Sequence, residues 1–211
     1  MACQSDVVED PLEGAAASDC DDEQDNDADG LVDCEDDGCA HHAVCVLDTG
    51  SPHLRVNDVT ELAVELEPEV LINEFLALNK VSHEVEDGPE NFPDWIELYN
   101  TTGEDIDLGG YTISDNLEVC DHHIFPAGLV VPAGGWLLLY ATGEASAGAQ
   151  HLNFRLKVEG EELALCRPDG TPLTKIQFGQ MVEDWSAARF PDASLDWDFD
   201  ETPTPGEANE L

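Results

Sequence analysis

Basic residues are the scarcest feature of this 211-residue sequence: 7 lysines and arginines stand against 48 acidic residues, for a net charge of −41 at pH 7. Nucleic-acid binding needs Lys or Arg to displace counterions from phosphates, so nucleic acid is excluded as a partner. An anionic membrane surface repels the chain for the same reason, and cations are its natural partners. Lysine occurs only at Lys80, Lys157 and Lys175, a usage that suits saline surroundings. No apolar run approaches the roughly 18 residues that a membrane-spanning helix requires. Nucleophile elbows, zinc-protease helices, phosphate loops and dinucleotide fingerprints are missing as well, which removes the commonest catalytic classes. Scattered carboxylates carry no weight as an acid–base pair in a chain with 48 acidic residues.

What is present can build a core. Hydrophobic residues make up 42% of the chain, enough for one β-sandwich of ordinary size and a small module. Seven cysteines, four of them within residues 20–45, point to an oxidising, extracytoplasmic compartment. A secreted chain starts with a signal peptide and none is seen, so a processed form is expected. Cys3, following Met1 and Ala2, resembles the remnant of a bacterial lipobox and is the candidate lipid anchor; the alternative is a spare thiol. Residues 1–19 have no period and several small side chains and read as a flexible tether.

Residues 20–45 hold Cys20, Cys34, Cys39 and Cys45 around the loop Asp25-Asn26-Asp27-Ala28-Asp29-Gly30-Leu31-Val32-Asp33-Cys34-Glu35-Asp36. On the twelve-position calcium-loop template, Asp25, Asp27 and Asp29 take positions 1, 3 and 5, and Gly30 takes the sharp turn. Leu31 offers its carbonyl at position 7, Asp33 stands at 9 and Asp36 at 12, where Glu is usual. Alternate carboxylates in a tight loop converge on one point, which suits a hard cation wanting six to eight oxygens. Loops ending in Asp occur in thrombospondin type-3 repeats, which this stretch resembles, as it does the Asp-rich, Cys-flanked repeats of myxobacterial secreted proteins. Four cysteines allow three pairings; Cys20–Cys34 with Cys39–Cys45 is preferred, because the first clasps both ends of the loop. A unit this small depends on metal and disulfides for its fold. Zinc at His41 and His42 with reduced Cys39 and Cys45 is the alternative that an oxidising compartment disfavours.

Residues 46–69 read as a linker. Leu62, Val64 and Leu66 alternate, predicting an edge strand at its end; a short helix from Asp58 is the alternative. Beyond it the chain is a series of short strands and turns. The clearest strand is Asp94-Trp95-Ile96-Glu97-Leu98-Tyr99-Asn100, with aliphatic residues on one face and aromatic ones on the other. Others are expected from Val70 to Ala77, at Ile106 to Leu108, Tyr111 to Asp115, His123 to Pro126 and Gly128 to Pro132. Four more are expected: Trp136 to Tyr140, Asn153 to Leu156, Glu162 to Cys166 and Leu173 to Phe178. Trp136-Leu137-Leu138-Leu139-Tyr140, nearly continuous in apolar residues, reads as a central strand. Turns every ten or so residues predict an all-β sandwich.

Several motifs stand in a specific order: Leu71-Ile72-Asn73-Glu74-Phe75, Asp94 to Asn100, Asp107-Leu108-Gly109-Gly110-Tyr111, Phe125-Pro126-Ala127-Gly128 and Val131-Pro132-Ala133-Gly134-Gly135-Trp136. With Arg189-Phe190-Pro191-Asp192 and Thr202-Pro203-Thr204-Pro205-Gly206-Glu207-Ala208-Asn209 they resemble a lamin tail domain of the bacterial secreted type, over residues 70–209. The resemblance implies an immunoglobulin-like β-sandwich and no catalytic residues. Such domains in bacteria resemble non-catalytic modules of surface lipoproteins and of secreted nucleases or phosphatases. The chromatin contacts of the animal members are not expected here, since the chain has no basic patch.

A disulfide between Cys120 and Cys166 is expected; two buried small hydrophobes is the alternative. His122 and His123 are adjacent on a strand and point opposite ways, so a shared ion is disfavoured. Glu84, Glu86, Asp87, Glu90 and Asp94 form an acidic loop that reads as solvated rather than as a second calcium site. Trp185, Trp197 and Phe199 read as packing of a last strand rather than as a sugar-stacking face. The expected role is a monomeric, non-catalytic, calcium-stabilised surface protein that binds a protein or glycan ligand. An accessory module of a secreted hydrolase is the alternative. Calcium should raise the melting temperature of the whole chain, and Asp27→Ala with Asp29→Ala should abolish the gain. Equal melting curves in calcium and in chelator would dismiss the metal.

Overall fold

A computed structural model describes residues 59–62, 68–86 and 88–209. The tether, the module of residues 20–45 with its calcium set and four cysteines, Cys3, His41 and His42 lie outside the described residues. So does most of the linker.

Alternation in one strand organises the rest. Strand β3 (Trp95–Asn100) pairs antiparallel with β2 (Val70–Leu76) on one side and with β8 (Trp136–Tyr140) on the other. Ile96 stands beside Phe75 and Leu139, and Leu98 beside Ile72 and Leu137, which makes a continuous aliphatic face. Between Ile72 and Glu74 the register slips by one residue, leaving Asn73 as a β-bulge. The slip brings Ile72 and Phe75 to the same face although they are three apart. Without it, a period of two would turn one of them outward.

Two five-stranded antiparallel sheets pack with these faces inward. One has the order β12-β11-β2-β3-β8, where β11 is Ser186–Arg189 and β12 is Trp197–Asp200. The other runs β1-β10-β9-β5-β6: Thr60–Glu61, Pro172–Phe178, Glu161–Cys166, Thr112–Ser114 and His123–Ile124. The Phe75 and Phe178 rings meet across the core at 4.6 Å, and the Ile72 N–H donates to Thr174 Oγ1 at 3.3 Å. A small ribbon of β4 (Ile106–Asp107) and β7 (Val130–Val131) lies at the end of β3. Asn100 ties the two: its buried Nδ2 donates to the carbonyls of Glu104 and Val131.

Several expectations need correcting. Trp136–Tyr140 is at the edge of its sheet, not at the centre. Only Leu139 of its apolar run is fully buried and the rest is half-buried, and its open edge is closed at the Tyr140 end by residues 150–152. There the Tyr140 N–H donates to the Gln150 carbonyl and the Leu152 N–H to the Tyr140 carbonyl, both at 2.8 Å. Residues 153–156 form no strand. Thr60–Glu61 pairs with β10, so the sandwich takes in part of the linker and extends upstream of Val70. β11 and β12 complete a sheet whose pattern was not legible strand by strand.

The core prediction follows from the Phe75 contacts. Phe75→Ala removes a fully buried ring that touches both Phe178 and Trp197. It should cost about 3–5 kcal/mol in urea unfolding.

Candidate functional site

The bulge also decides what stands on the outer side of the β12-β11-β2-β3-β8 sheet. It places Glu74 directly opposite Glu97, and both are fully buried. Opposed side chains on antiparallel neighbours have Cβ atoms about 4.5–5.5 Å apart. Two carboxylates at that spacing and out of water cannot both remain charged cheaply.

Their partners are neutral donors. Ser186 Oγ donates to Glu74 Oε1 at 2.6 Å, and the Thr204 N–H donates to the same oxygen at 3.2 Å. The Gly206 N–H donates to Glu97 Oε2 at 2.6 Å, and Asn73 Nδ2 to Glu97 Oε1 at 3.3 Å. Thr204 and Gly206 belong to residues 202–209, which run over the pair as a strap. The sequence Thr202-Pro203-Thr204-Pro205-Gly206 explains the fit. Proline has no N–H and fixes its own φ, so only every second residue offers a donor. All three such donors go to carboxylates: Thr202 to Asp200 Oδ1 at 2.7 Å, Thr204 to Glu74 and Gly206 to Glu97. The far end is fastened by Asn209. Its N–H donates to Asp192 Oδ1 at 3.2 Å and its Nδ2 to the Arg189 carbonyl at 2.9 Å. Asn73 Nδ2 donates to that same Asp192 oxygen at 2.8 Å.

Burial pushes Glu74 up from its ordinary 4.5 to about 7, against the hydrogen bonds from Ser186 and Thr204. Burial pushes Glu97 up to about 8, with the charges of Glu74 and Asp192 acting in the same direction. The nearby cation is committed elsewhere. Arg189 is buried with its Nε donating to the Ile72 carbonyl, and its Nη1 donating to Glu61 Oε2 at 2.8 Å and to the Ser194 carbonyl. Its guanidinium lies 4.5 Å from the centre of the Trp197 ring. Arg189 thus joins the two sheets by way of β1, and among the described residues no cation pairs with Glu74 or Glu97. Paired carboxylates with raised pKa values are the usual equipment of general acid–base catalysis. These two have no exposed surface for a substrate to reach while the strap is seated.

The residues singled out by sequence are distributed differently. A disulfide joins Cys120 and Cys166, whose Cα atoms are 6.2 Å apart, and it pins residues 115–122 to β9. His122 is exposed against Asp115 Oδ1 at 2.5 Å, whereas His123 is buried and accepts the Asn153 N–H through Nδ1. The two histidines do not converge. Burial pulls His123 below the usual histidine range. In the acidic loop, Glu84 and Glu86 are exposed, Glu90 pairs with Arg155 at 2.8 Å and Asp94 accepts the Asn79 N–H at 3.0 Å. Asp87 lies outside the described residues. The base of the loop is held by Asp184, whose Oδ1 accepts the N–H groups of Lys80, Val81 and Ser82. Among the described residues no group of three or more His, Cys, Asp or Glu side chains is arranged to hold a metal. Trp197 is buried against Phe75 and under Arg189, so it packs the last strand and offers no face to a sugar. Sequence reasoning missed Glu74, Glu97 and the strap. The available signal was the alternation of proline in residues 202–206, which rations N–H donors at a spacing of two.

A disulfide-pinned antiparallel β-sandwich with a strapped carboxylate pair is the class of domain these features define. Residues 66–180 match the family model Lamin Tail Domain, and the chain belongs to that family. β11, β12 and the strap follow the matched stretch, although they complete its sheet. No curated protein matches the chain.

The raised values set the sign of a pH dependence. Between about 4.5 and 8 the folded state binds more protons than the unfolded state, so stability falls as pH rises through that window. Urea unfolding from pH 4.5 to 8.5 should show a loss on the order of a few kcal/mol from this pair. Glu74→Gln with Glu97→Gln should flatten that part of the curve, and an unchanged slope would refute the assignment.

Proposed function

We propose that this chain is a non-catalytic extracytoplasmic surface protein that presents a lamin tail domain to a protein or glycan ligand. The domain takes an immunoglobulin-like form. Calcium held by Asp25, Asp27, Asp29, Leu31, Asp33 and Asp36 stabilises the module before it, with Cys20, Cys34, Cys39 and Cys45 as disulfide staples. A lipid at Cys3 anchors the chain to the envelope through residues 1–19. The observation that carries the non-catalytic reading is the burial of Glu74 and Glu97 beneath the strap. The pair best suited to acid–base chemistry is consumed in holding the domain together. A ligand in this reading is cationic or neutral, because 48 acidic residues repel polyanions.

The test is an assay of the whole purified chain, with calcium, against nuclease, phosphatase and glycosidase substrates, beside capture of surface proteins and a glycan array. No turnover together with saturable, chelator-sensitive binding is the expected result. Turnover by the chain that is lost in Glu97→Gln would overturn the reading.

A further inference from the structure

The Thr204 and Gly206 N–H groups bond the carboxylates in either protonation state, but one further link of the strap, through the Thr204 hydroxyl, closes fully only when Glu74 carries a proton. Thr204 Oγ1 lies 3.4 Å from Glu74 Oε2 and 2.9 Å from Asn209 Oδ1. With Glu74 ionised, both of these are acceptors, and a hydroxyl has one proton to give. One of the two contacts is then unmade. With Glu74 protonated, its Oε2–H donates to Thr204 Oγ1, and the threonine proton goes on to Asn209. The chain Glu74, Thr204, Asn209 and the Arg189 carbonyl is then fully satisfied from the sheet to the far end of the strap.

We propose that residues 202–209 form a proton-held latch, seated over the outer face of the sheet while the Glu74–Glu97 pair keeps a proton and released when both carboxylates ionise. The charged groups that act on the pair are acidic, and they raise the cost of ionising both glutamates. β2 supplies Glu74, β3 supplies Glu97, β12 supplies Asp200, and the connection between β11 and β12 supplies Asp192. β11 supplies Ser186 and Ala188, and β8 supplies Leu138 opposite Glu97, none of them charged. Glu201 and Glu207 at the strap's ends are exposed and add negative charge. Arg189 is held by Ile72, Glu61 and Ser194. With both glutamates ionised, repulsion between them is relieved by water entering beneath the strap. The strap contributes no strand to either sheet, so it can leave without breaking a ladder. Release uncovers Glu74 and Glu97 on the outer face of the sheet, a surface that the closed domain hides. This behaviour is independent of what ligand the domain presents.

Amide hydrogen exchange of the whole chain between pH 6 and 9, scaled to intrinsic rates, tests the latch. Protection at Thr204, Gly206 and Asn209 should fall at least tenfold over that range while the amides of β3 keep theirs. Glu74→Gln with Glu97→Gln should hold protection level. Constant protection in the natural chain, or a loss shared equally by β3, would overturn the proposal. Carboxyl carbon-13 shifts of the natural chain give a readout that needs no variant. Titration of both glutamates above pH 6 is expected, and completion below pH 5 would dismiss the latch.

Discussion

Two carboxylates side by side in a dry sheet are the constraint to which much of this domain answers. Glu74 and Glu97 meet because one residue, Asn73, is inserted into β2. The same insertion turns Ile72 and Phe75 together into the core. Aliphatic packing inside and carboxylate pairing outside are therefore one event read on two faces of a strand. Each neighbouring element carries the mark of it. β11 begins with three small residues, with Ser186 donating to Glu74 and Ala188 opposite it in register. Over residues 202–206 the strap has proline at every second position, and the N–H groups between meet carboxylates. Asn73 itself bonds both Glu97 and Asp192, so the bulged residue helps to fasten what the bulge created.

This explains what could and could not be read from residue order. Trp95 to Asn100 announces a strand because period-two alternation is a local property. The sandwich is legible for the same reason, since strand after strand is bounded by Gly, Pro or Asn. The place of a strand within its sheet is not local. Trp136 to Tyr140 looks central because it is nearly continuous in apolar residues, yet it is mostly half-buried and lies at an edge capped at Tyr140 by backbone bonds from residues 150–152. Ser186–Arg189 has little β-propensity of its own. It becomes a strand because Glu74, Asp200 and the strap need a small-residue ladder between them. The carboxylate pair depends on a one-residue slip in register, and register is fixed by partners distant in sequence. Asn73-Glu74 and Glu97 read as the polar half of an alternation, which is what an exposed pair would also look like.

The scarcity of cations gives the pair its chemistry. Every arginine among the described residues is engaged with a glutamate: Arg155 with Glu90, Arg167 with Glu69 and Arg189 with Glu61. Two of these pairs join distant segments of the sandwich, Glu61 to β11 and Glu69 to the end of β9. A further cation under the strap would have favoured the ionised forms of Glu74 and Glu97 and moved their titration to lower pH. Hydrogen-bond donors without charge and protons taken from solvent meet the pair instead, and protons are the one neutralising agent whose supply varies with the surroundings. Burial also raises Asp94 and Glu161, but the charges of Arg155 and Lys80 act against it at Asp94, and that of Lys157 at Glu161. At Glu74 and Glu97 each carboxylate, or an acidic neighbour, adds to the effect of burial, so the fold itself controls the charge state of the pair.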